Sequence, residues 1–441
     1  MKWLGMTAAE QGQAIGAGEL DPVELAEAYL DAATSHPMAP RIYARLTKDR
    51  ARAEAIAAHD RARQGFRVGP LDGVPISWKD LFDTAGVATE AGSALLEGRV
   101  PAQDAEVLVT ATAQGLVCIG KTHMSELAFS GLGLNPVTAT PPNVNDPALI
   151  SGGSSSGAAA SVAFGLASAG IGSDTGGSVR IPAAWNDLVG LKTTSGRLSL
   201  TGVVPLCLKF DTVGPLTRSV EDAALLLAAM EGTKPLDLAG ASLAGVRLLV
   251  LETVAFDDIE DAPRAAFEAS VLALENAGAV IERREVSCVS EAMALTGALY
   301  PTEAYGHWKD VIEAAPEKMF QEILERFRGG ANVSAPDYVA AWETLERLRG
   351  VYHEAVAGFD AVVLPASPIL PPDISRLESD HDYYVRRNLL ALRNTRIGNL
   401  MGSASLTLPT GQPSCGFMMM VPPFQEERLL RLGTAVEQGL G

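Results

Sequence analysis

The sequence predicts an α/β protein that folds as one unit. Two patterns carry this prediction: a strand, a helix and a strand in succession over 246–282, and short apolar segments between glycine- and proline-rich loops elsewhere. The 441 residues, 47% hydrophobic and 20% charged, can bury a large core. Since no internal repeat or low-complexity linker interrupts the chain, we expect a single domain over 1–441.

The first section, 1–66, is predicted to be a layer of helices. A capping box begins at Thr7, and Asp21 caps a helix over about 22–35 that starts with proline. The alanine- and arginine-rich stretch 48–64 predicts a further helix. Nothing in this section indicates catalysis.

The second section, 67–225, is rich in Gly, Ser, Thr and Pro and is predicted to be the catalytic core. Short apolar segments at 116–119 and 166–171 suit buried strands. The weakly polar run 157–172 falls short of the roughly 20 strongly apolar residues of a membrane span. We therefore expect a buried helix leading into a strand there.

The third section, 226–441, is predicted to complete the sheet, with a helical rim at about 290–357. Alternating apolar runs and amphipathic stretches define its elements. The predicted strands are 246–251, 279–282, 359–365, 404–408 and 417–421, and the predicted helices outside the rim are 263–277 and 425–438.

Charge and cysteine usage limit the partners and the compartment. The net charge of −18 would repel phosphate backbones and anionic lipids, so we expect no direct nucleic-acid partner and no membrane. The chain reaches Glu10 before any sustained apolar stretch, which argues against a secretory signal. The cysteines form no C-x-x-C pair and fit a reducing cytoplasm; they are Cys118, Cys207, Cys288 and Cys415.

Lys79 is the first candidate catalytic residue. It follows Val74-Pro75-Ile76 and Trp78, an apolar setting that would penalise the ammonium form and lower the pKa of the amine. A neutral lysine can accept the proton of a serine nucleophile. This hypothesis requires the neighbouring carboxylates of Asp80 and Asp83 to point elsewhere, because a direct contact would favour the charged amine.

Two glycine- and serine-rich loops supply hydroxyls. In 172–178, the glycines leave several backbone N–H groups free to converge on one point, which is how an oxyanion hole is made, and Ser178 would attack the carbonyl held there. In 152–157, Ser154 precedes a small-residue helix and would pass the proton between Ser178 and Lys79.

Each feature taken alone has a simpler interpretation. Glycine-serine loops are commonly turns or phosphate cradles, although neither loop has the G-x-x-x-x-G-K-[ST] pattern, and a lone lysine is usually at the surface. The six histidines show no metal-binding pair and no G-x-S-x-G elbow, so we expect no metal site; His123 suits a structural role better than a substrate contact. Only the combination of the lysine and both loops favours catalysis.

These residues resemble the amidase signature family of serine hydrolases. The resemblance extends over nearly the whole chain. Its motifs are Gly73-Val74-Pro75-Ile76 before Lys79, Gly120-Lys121-Thr122, 152–157, 172–184, Gly190-Leu191-Lys192, 214–222 and Val363-Leu364-Pro365-Ala366.

The resemblance implies the amidase signature fold, a large mixed β-sheet of about eleven strands sandwiched between layers of α-helices, without metal or cofactor. It implies that Ser178 is the acyl-forming nucleophile, Ser154 a bridging serine with a cis peptide bond, and Lys79 the base. It also implies oxyanion donors on the backbone of Thr175, Gly176, Gly177 and Ser178, and Ala128 near the acyl pocket.

We therefore predict an amidohydrolase that cleaves a small or medium carboxamide to an acid and ammonia or an amine. An alternative is the glutamine-hydrolysing subunit of a tRNA-dependent amidotransferase, although the segment 125–133 looks more like free-standing amidases. A non-catalytic binding scaffold is a third hypothesis. The predicted partner is a small amide, and a homodimer remains open.

Four further side chains have two interpretations each. Arg180 could indicate an anionic substrate, but a structural role beside the nucleophile loop is favoured, since Arg forks commonly brace loop carbonyls. Tyr300, Tyr305 and Trp308 could line a pocket, but packing of an amphipathic helix is the simpler account.

Overall fold

A mixed sheet of eleven strands forms the centre of the molecule, which confirms the fold class. The computed structural model describes residues 2–441; Met1, the first residue of the predicted helical layer, lies outside them. The strands are β1 (Tyr43–Leu46), β2 (Pro75–Lys79), β3 (Val117–Thr122), β4 (Ala169–Ser173), β5 (Val189–Lys192), β6 (Val213–Thr217), β7 (Arg247–Leu251), β8 (Val280–Arg284), β9 (Ala361–Pro365), β10 (Ala404–Pro409) and β11 (Gly416–Val421). Their order across the sheet is β1-β3-β2-β4-β6-β5-β10-β11-β9-β7-β8.

The helices form two groups, whose members contact the sheet or other helices. The first group comprises α1 (Ala8–Gly16), α2 (Pro22–Ser35), α4 (Lys48–Gln64), α5 (Glu106–Ala113), α8 (Val220–Glu231), α9 (Asp261–Asn276) and α16 (Glu426–Leu440). The second comprises α3 (Ala39–Ile42), α6 (Ser156–Ala163), α7 (Arg180–Trp185), α10 (Cys288–Ala294), α11 (Thr296–Ala314), α12 (Gln321–Arg328), α13 (Ala335–Val356), α14 (Ile374–Ser379) and α15 (His381–Leu400). The candidate catalytic loops lie in the second group, at the starts of α6 and α7.

Strand β2 is the element that positions the site. It lies between β3 and β4, runs parallel to both, and is buried along its whole length. Parallel strands end at the same edge of a sheet, so Lys79 at the end of β2 lies beside Ser173 at the end of β4.

Most predicted elements are confirmed. The side chain of Asp21 accepts a hydrogen bond from the Val23 amide at 2.7 Å at the start of α2, and Thr7 forms the predicted capping box with Glu10. Helix α4 has the predicted bounds, and β7, α9 and β8 form the predicted strand, helix and strand. All three predicted sections contribute strands to one sheet, and the single-domain organisation stays a prediction.

Four strands of the sheet lacked a sequence signal that we recognised. They are β1, β2, β5 and β6. Strand β2 begins at Pro75 and β6 contains Gly214 and Pro215, residues that weaken a strand pattern. Burial between neighbouring strands outweighs these local preferences. Lys79 therefore lies at the end of a strand inside the sheet.

Replacement of Gly214 should destabilise the sheet. A Cβ atom at Gly214 would lie 1.9 Å from the carbonyl oxygen of Leu191 on the neighbouring strand β5. We expect Gly214→Ala to lower the free energy of unfolding by about 1–3 kcal/mol through overpacking. Urea denaturation measures this change.

Gly350→Ala is the matched control. Gly350 lies inside α13 with nothing within 4 Å of the added methyl group, so the substitution should stabilise the protein by about 0.5–1 kcal/mol. Equal effects of the two substitutions would contradict the predicted clash.

Candidate active site

The amine of Lys79 lies inside the protein between two serine hydroxyls. Its side chain is fully buried, and Nζ donates hydrogen bonds to Ser154 Oγ and Ser173 Oγ, both at 2.7 Å. Burial lowers the pKa of Lys79 to about 7, against a weaker opposing influence of the Asp174 and Asp211 carboxylates. Near neutral pH, a substantial fraction of this lysine is therefore uncharged.

The carboxylates next to Lys79 in sequence point away from its amine. Asp80 forms ion pairs with Arg45 at 2.8 Å and Lys121 at 3.3 Å, while Asp83 pairs with Arg99 at 2.6 Å. The hypothesis of an uncharged Lys79 required Asp80 and Asp83 to point away from its amine, and in the structure they do.

Ser154 is held by a loop that only glycine can form. The Gly153–Ser154 peptide bond is cis, and a Cβ atom at Gly153 would lie 2.5 Å from the backbone nitrogen of Gly133. The Gly153 amide donates to Gly131 O at 2.8 Å, and the Ser154 carbonyl accepts from the Ser125 amide at 3.2 Å. These contacts fix the hydroxyl of Ser154 against Lys79.

Ser178 lies at the start of the segment that leads into α7. It is 3% exposed, and its carbonyl accepts a hydrogen bond from the Ser155 amide at 3.1 Å. This bond ties the two glycine-serine loops together, so residues distant in sequence share one site.

Three of the four predicted oxyanion donors are unpaired. The backbone N–H groups of Thr175, Gly176 and Ser178 have no acceptor among residues 2–441. The fourth, on Gly177, donates to Asp174 Oδ1 at 2.8 Å. That contact corrects the expectation of four free donors, because the carboxylate that braces the loop uses one of them.

A buried ion pair braces this loop. Arg180 donates to both carboxylate oxygens of Asp174, at 2.9 and 3.0 Å, and also to Thr395 O and Asn399 Oδ1, both at 2.6 Å. Burial by itself would raise the pKa of Asp174, but the charge of Arg180 holds that pKa well below its usual range. Arg180 therefore stabilises the loop, which is the structural role that the sequence analysis favoured.

A small cavity opens beside Ser178. Its lining includes the sequence-predicted residues Ala128, Thr175, Gly176 and Ser178. Ala128 has a left-handed backbone conformation, with φ of 61°. Lys79, Ser154 and Gly177 do not line the cavity.

Sequence reasoning missed several residues of the cavity wall. The sequence raised Tyr300 as an aromatic with two interpretations, and the structure places it at the cavity, whereas Tyr305 and Trp308 bond elsewhere, to Glu313 and Pro205. The residues with no sequence signal are Phe129, Ser130, Leu206, Arg326, Leu392 and Arg396, which come from separate helices and loops.

Other candidate groups lie outside the site. His123 does not line the cavity, and burial lowers its pKa to about 4. Within residues 2–441, no three His, Cys, Asp or Glu side chains come together as metal ligands. Over the same range, every helix is too short or too polar to cross a bilayer.

Comparison with known proteins gives matches along the whole chain. The family model described as Amidase matches residues 24–430. The 2-amino-5-chloromuconic acid deaminase of Comamonas testosteroni is 36% identical over 458 residues, covering 99% of this chain and 97% of that protein. One subunit of the glutamyl-tRNA(Gln) amidotransferase of Chloroflexus aurantiacus is 30% identical over 474 residues, covering 99% and 96%. A crystal structure of an amidase matches with a TM-score of 0.88 and 29% identity, covering 99% of this chain and 100% of that one.

Replacement of Arg180 should destabilise the folded protein, because Arg180 is the counter-charge of the buried Asp174 carboxylate. Arg180→Met leaves Asp174 buried without its counter-charge, so we expect a loss of about 3–5 kcal/mol in the free energy of unfolding. Arg284→Met is the control, because Arg284 pairs with Glu282 at the surface and should contribute at most about 1 kcal/mol. Chemical denaturation compares the two; equal losses would show that Arg180 is no brace.

Proposed function

The chain belongs to the amidase family and is a hydrolase of carbon–nitrogen amide bonds, and from this premise we propose that Ser178, Ser154 and Lys79 together cleave a small or medium carboxamide. The products are a carboxylic acid and ammonia or an amine. Lys79 carries the proposal, because its amine is buried, has a pKa of about 7 and lies 2.7 Å from Ser154 Oγ.

The first half of the proposed reaction acylates the enzyme. Ser178 Oγ attacks the substrate carbonyl carbon while its proton passes to Ser154, whose own proton passes to Lys79 Nζ. The backbone N–H groups of Thr175, Gly176 and Ser178 stabilise the negative oxygen of the tetrahedral intermediate. When the carbon–nitrogen bond breaks, the relay returns the proton to the leaving nitrogen, which departs as ammonia or an amine.

The second half releases the acid. Water enters the place of the leaving amine, gives a proton to the same relay and attacks the acyl carbon. Collapse of the second tetrahedral intermediate breaks the bond to Ser178 Oγ, which takes back a proton from the relay. Lys79 therefore ends the cycle uncharged, as it began.

Glutamine hydrolysis within an amidotransferase is the second candidate function. The observation that favours it is the 30% identity, over 99% of this chain, to one subunit of a glutamyl-tRNA(Gln) amidotransferase. Glutamine as the only good substrate, or copurification with partner chains, would favour this candidate over a free-standing amidase. A screen of aliphatic, aryl, amino-acid and ureido amides separates the two.

Removal of either reacting group should abolish amide hydrolysis. We expect Ser178→Ala and Lys79→Met each to lower kcat at least about 1000-fold, because the nucleophile or its base is lost. The matched controls are Ser290→Ala and Lys309→Met, which alter exposed side chains and should keep full activity. Near-normal turnover in both test variants, with unchanged melting temperatures, would refute the proposal.

Activity should be lost on the acid side of about pH 7. Below the Lys79 pKa of about 7 the amine is protonated and cannot accept the Ser154 proton, so kcat/KM should rise with pH through this value and then level off. A rate profile between about pH 5 and 9 measures this.

Two other buried groups have a pKa near the same value and serve as controls. Burial lowers the pKa of Lys192 to about 7 and raises that of Glu126 to about 7. Lys192→Met and Glu126→Gln should keep the midpoint of the acid limb. A midpoint that moves with either variant would assign the limb to that group instead of Lys79.

A further inference from the structure

We propose that the cavity beside Ser178 recognises an amide that carries a carboxylate, with Arg396 and Arg326 as the groups that bind it. This inference rests on the proposed function and names its substrate class. The carboxylate would lie a few bonds from the amide that is cleaved, as in the monoamide of a short dicarboxylic acid.

Arg396 is a buried cation without a partner. It lies on α15, is 7% exposed, and has no hydrogen bond or ion pair with any of residues 2–441. Its guanidinium carbon lies 5.7 Å from the centroid of the Tyr300 ring. A guanidinium has five N–H donors. All five donors of Arg396 are therefore available to a ligand in the cavity that this side chain lines.

The position of Arg396 relates it to the reacting groups. A Cβ atom built on Gly176 would lie 3.8 Å from Arg396 Nε. Gly176 is one of the proposed oxyanion donors, so the guanidinium lies beside the place where the scissile carbonyl would bind. A substrate carboxylate that reaches Arg396 is therefore close to the amide in the same molecule.

Arg326 adds a second, half-buried guanidinium to the same cavity. It lies on α12, stacks over the Phe129 ring at 4.3 Å, and donates to the Phe129 carbonyl at 2.9 Å. Burial, and after it the charge of Arg396, lowers the pKa of Arg326 to about 9. No carboxylate forms an ion pair with it among residues 2–441, and four of its five donors remain free.

Two other buried cations of this protein have the carboxylate partner that Arg396 lacks among residues 2–441. Arg180 pairs with Asp174, and Lys121 pairs with Asp80. The chain has 53 acidic against 35 basic residues, so acidic side chains are not scarce. An uncompensated buried charge is costly, and a bound anion would supply the compensation that the fold leaves out.

The rest of the cavity lining sets the polarity of the ligand. The hydroxyl of Tyr300 is buried without a hydrogen-bond partner and gives a further donor beside Arg396. Leu206, Leu392 and Ala128 contribute apolar wall. This lining suits a short carbon chain between the carboxylate and the amide.

The experiment compares two substrates that differ only in charge. Succinamate carries the carboxylate, and 4-oxopentanamide replaces the charged oxygen with a methyl group. We expect wild-type enzyme to prefer succinamate in kcat/KM by about 100-fold, and Arg396→Met to remove most of this preference, mainly through KM, with little effect on the neutral amide. Malonamate and glutaramate extend the comparison to shorter and longer chains.

Two further variants separate recognition from structure. Arg396→Lys keeps the charge and should restore part of the preference for succinamate. Arg386→Met removes an exposed arginine from the same helix and should leave both rates unchanged. An equal loss for both amides in Arg396→Met would overturn the inference, because it would assign Arg396 a structural role.

Protection of Ser178 from fluorophosphonate labelling in the wild-type enzyme decides the question if Arg396→Met does not fold. Succinate should protect Ser178, and the neutral diketone 2,5-hexanedione should not. Failure of succinate to protect, or hydrolysis of neutral amides as fast as charged ones, would overturn the carboxylate inference while the hydrolase stands. Absence of labelling together with absence of any amide hydrolysis would instead refute the proposed function.

Discussion

The position of the Lys79 amine is the constraint on which the site depends. An ammonium group on a central strand, with no carboxylate in contact, is held where its charge is disfavoured, and this lowers its pKa to about 7. Asp80, which follows Lys79 in the sequence, forms ion pairs with Arg45 and Lys121 and not with Lys79. The same packing that stabilises β2 thus leaves Lys79 with the low pKa that the proposed role as base requires.

Asp174 is a second buried group, and its surroundings favour the charged form instead of the neutral one. Asp174 stays ionised because Arg180 lies against it, and the carboxylate also binds the Gly177 and Val179 amides. This pair shapes the turn before Ser178 and leaves the neighbouring N–H groups of Thr175, Gly176 and Ser178 free. The ion pair between Asp174 and Arg180 stabilises the loop, whereas Lys79 has no ion pair within residues 2–441 and is available for its proposed role as the base.

The arginines of the site also differ in whether the protein supplies a carboxylate partner. Arg180 is fully satisfied by the protein, but Arg396 and Arg326 are not, even though the chain is strongly acidic. Arg180, which the protein neutralises, holds a loop in place. Arg396 and Arg326, which it does not neutralise, line the cavity that we propose as the ligand site.

The sequence by itself determined the α/β class, most helices, the strands β3, β4 and β7 to β11, and the family to which the chain belongs, because capping residues, periodicity and glycine-serine motifs are local signals. It also singled out Lys79, Ser154 and Ser178, which the structure brings to two adjoining loops and the strand beside them. Only the tertiary structure decided that β2 is a central strand, that the Gly177 amide is used by Asp174, and that Arg326 and Arg396 face one cavity. The Asp174 carboxylate that binds the Gly177 amide is itself held by Asn399, 225 positions away, and no local pattern encodes such contacts.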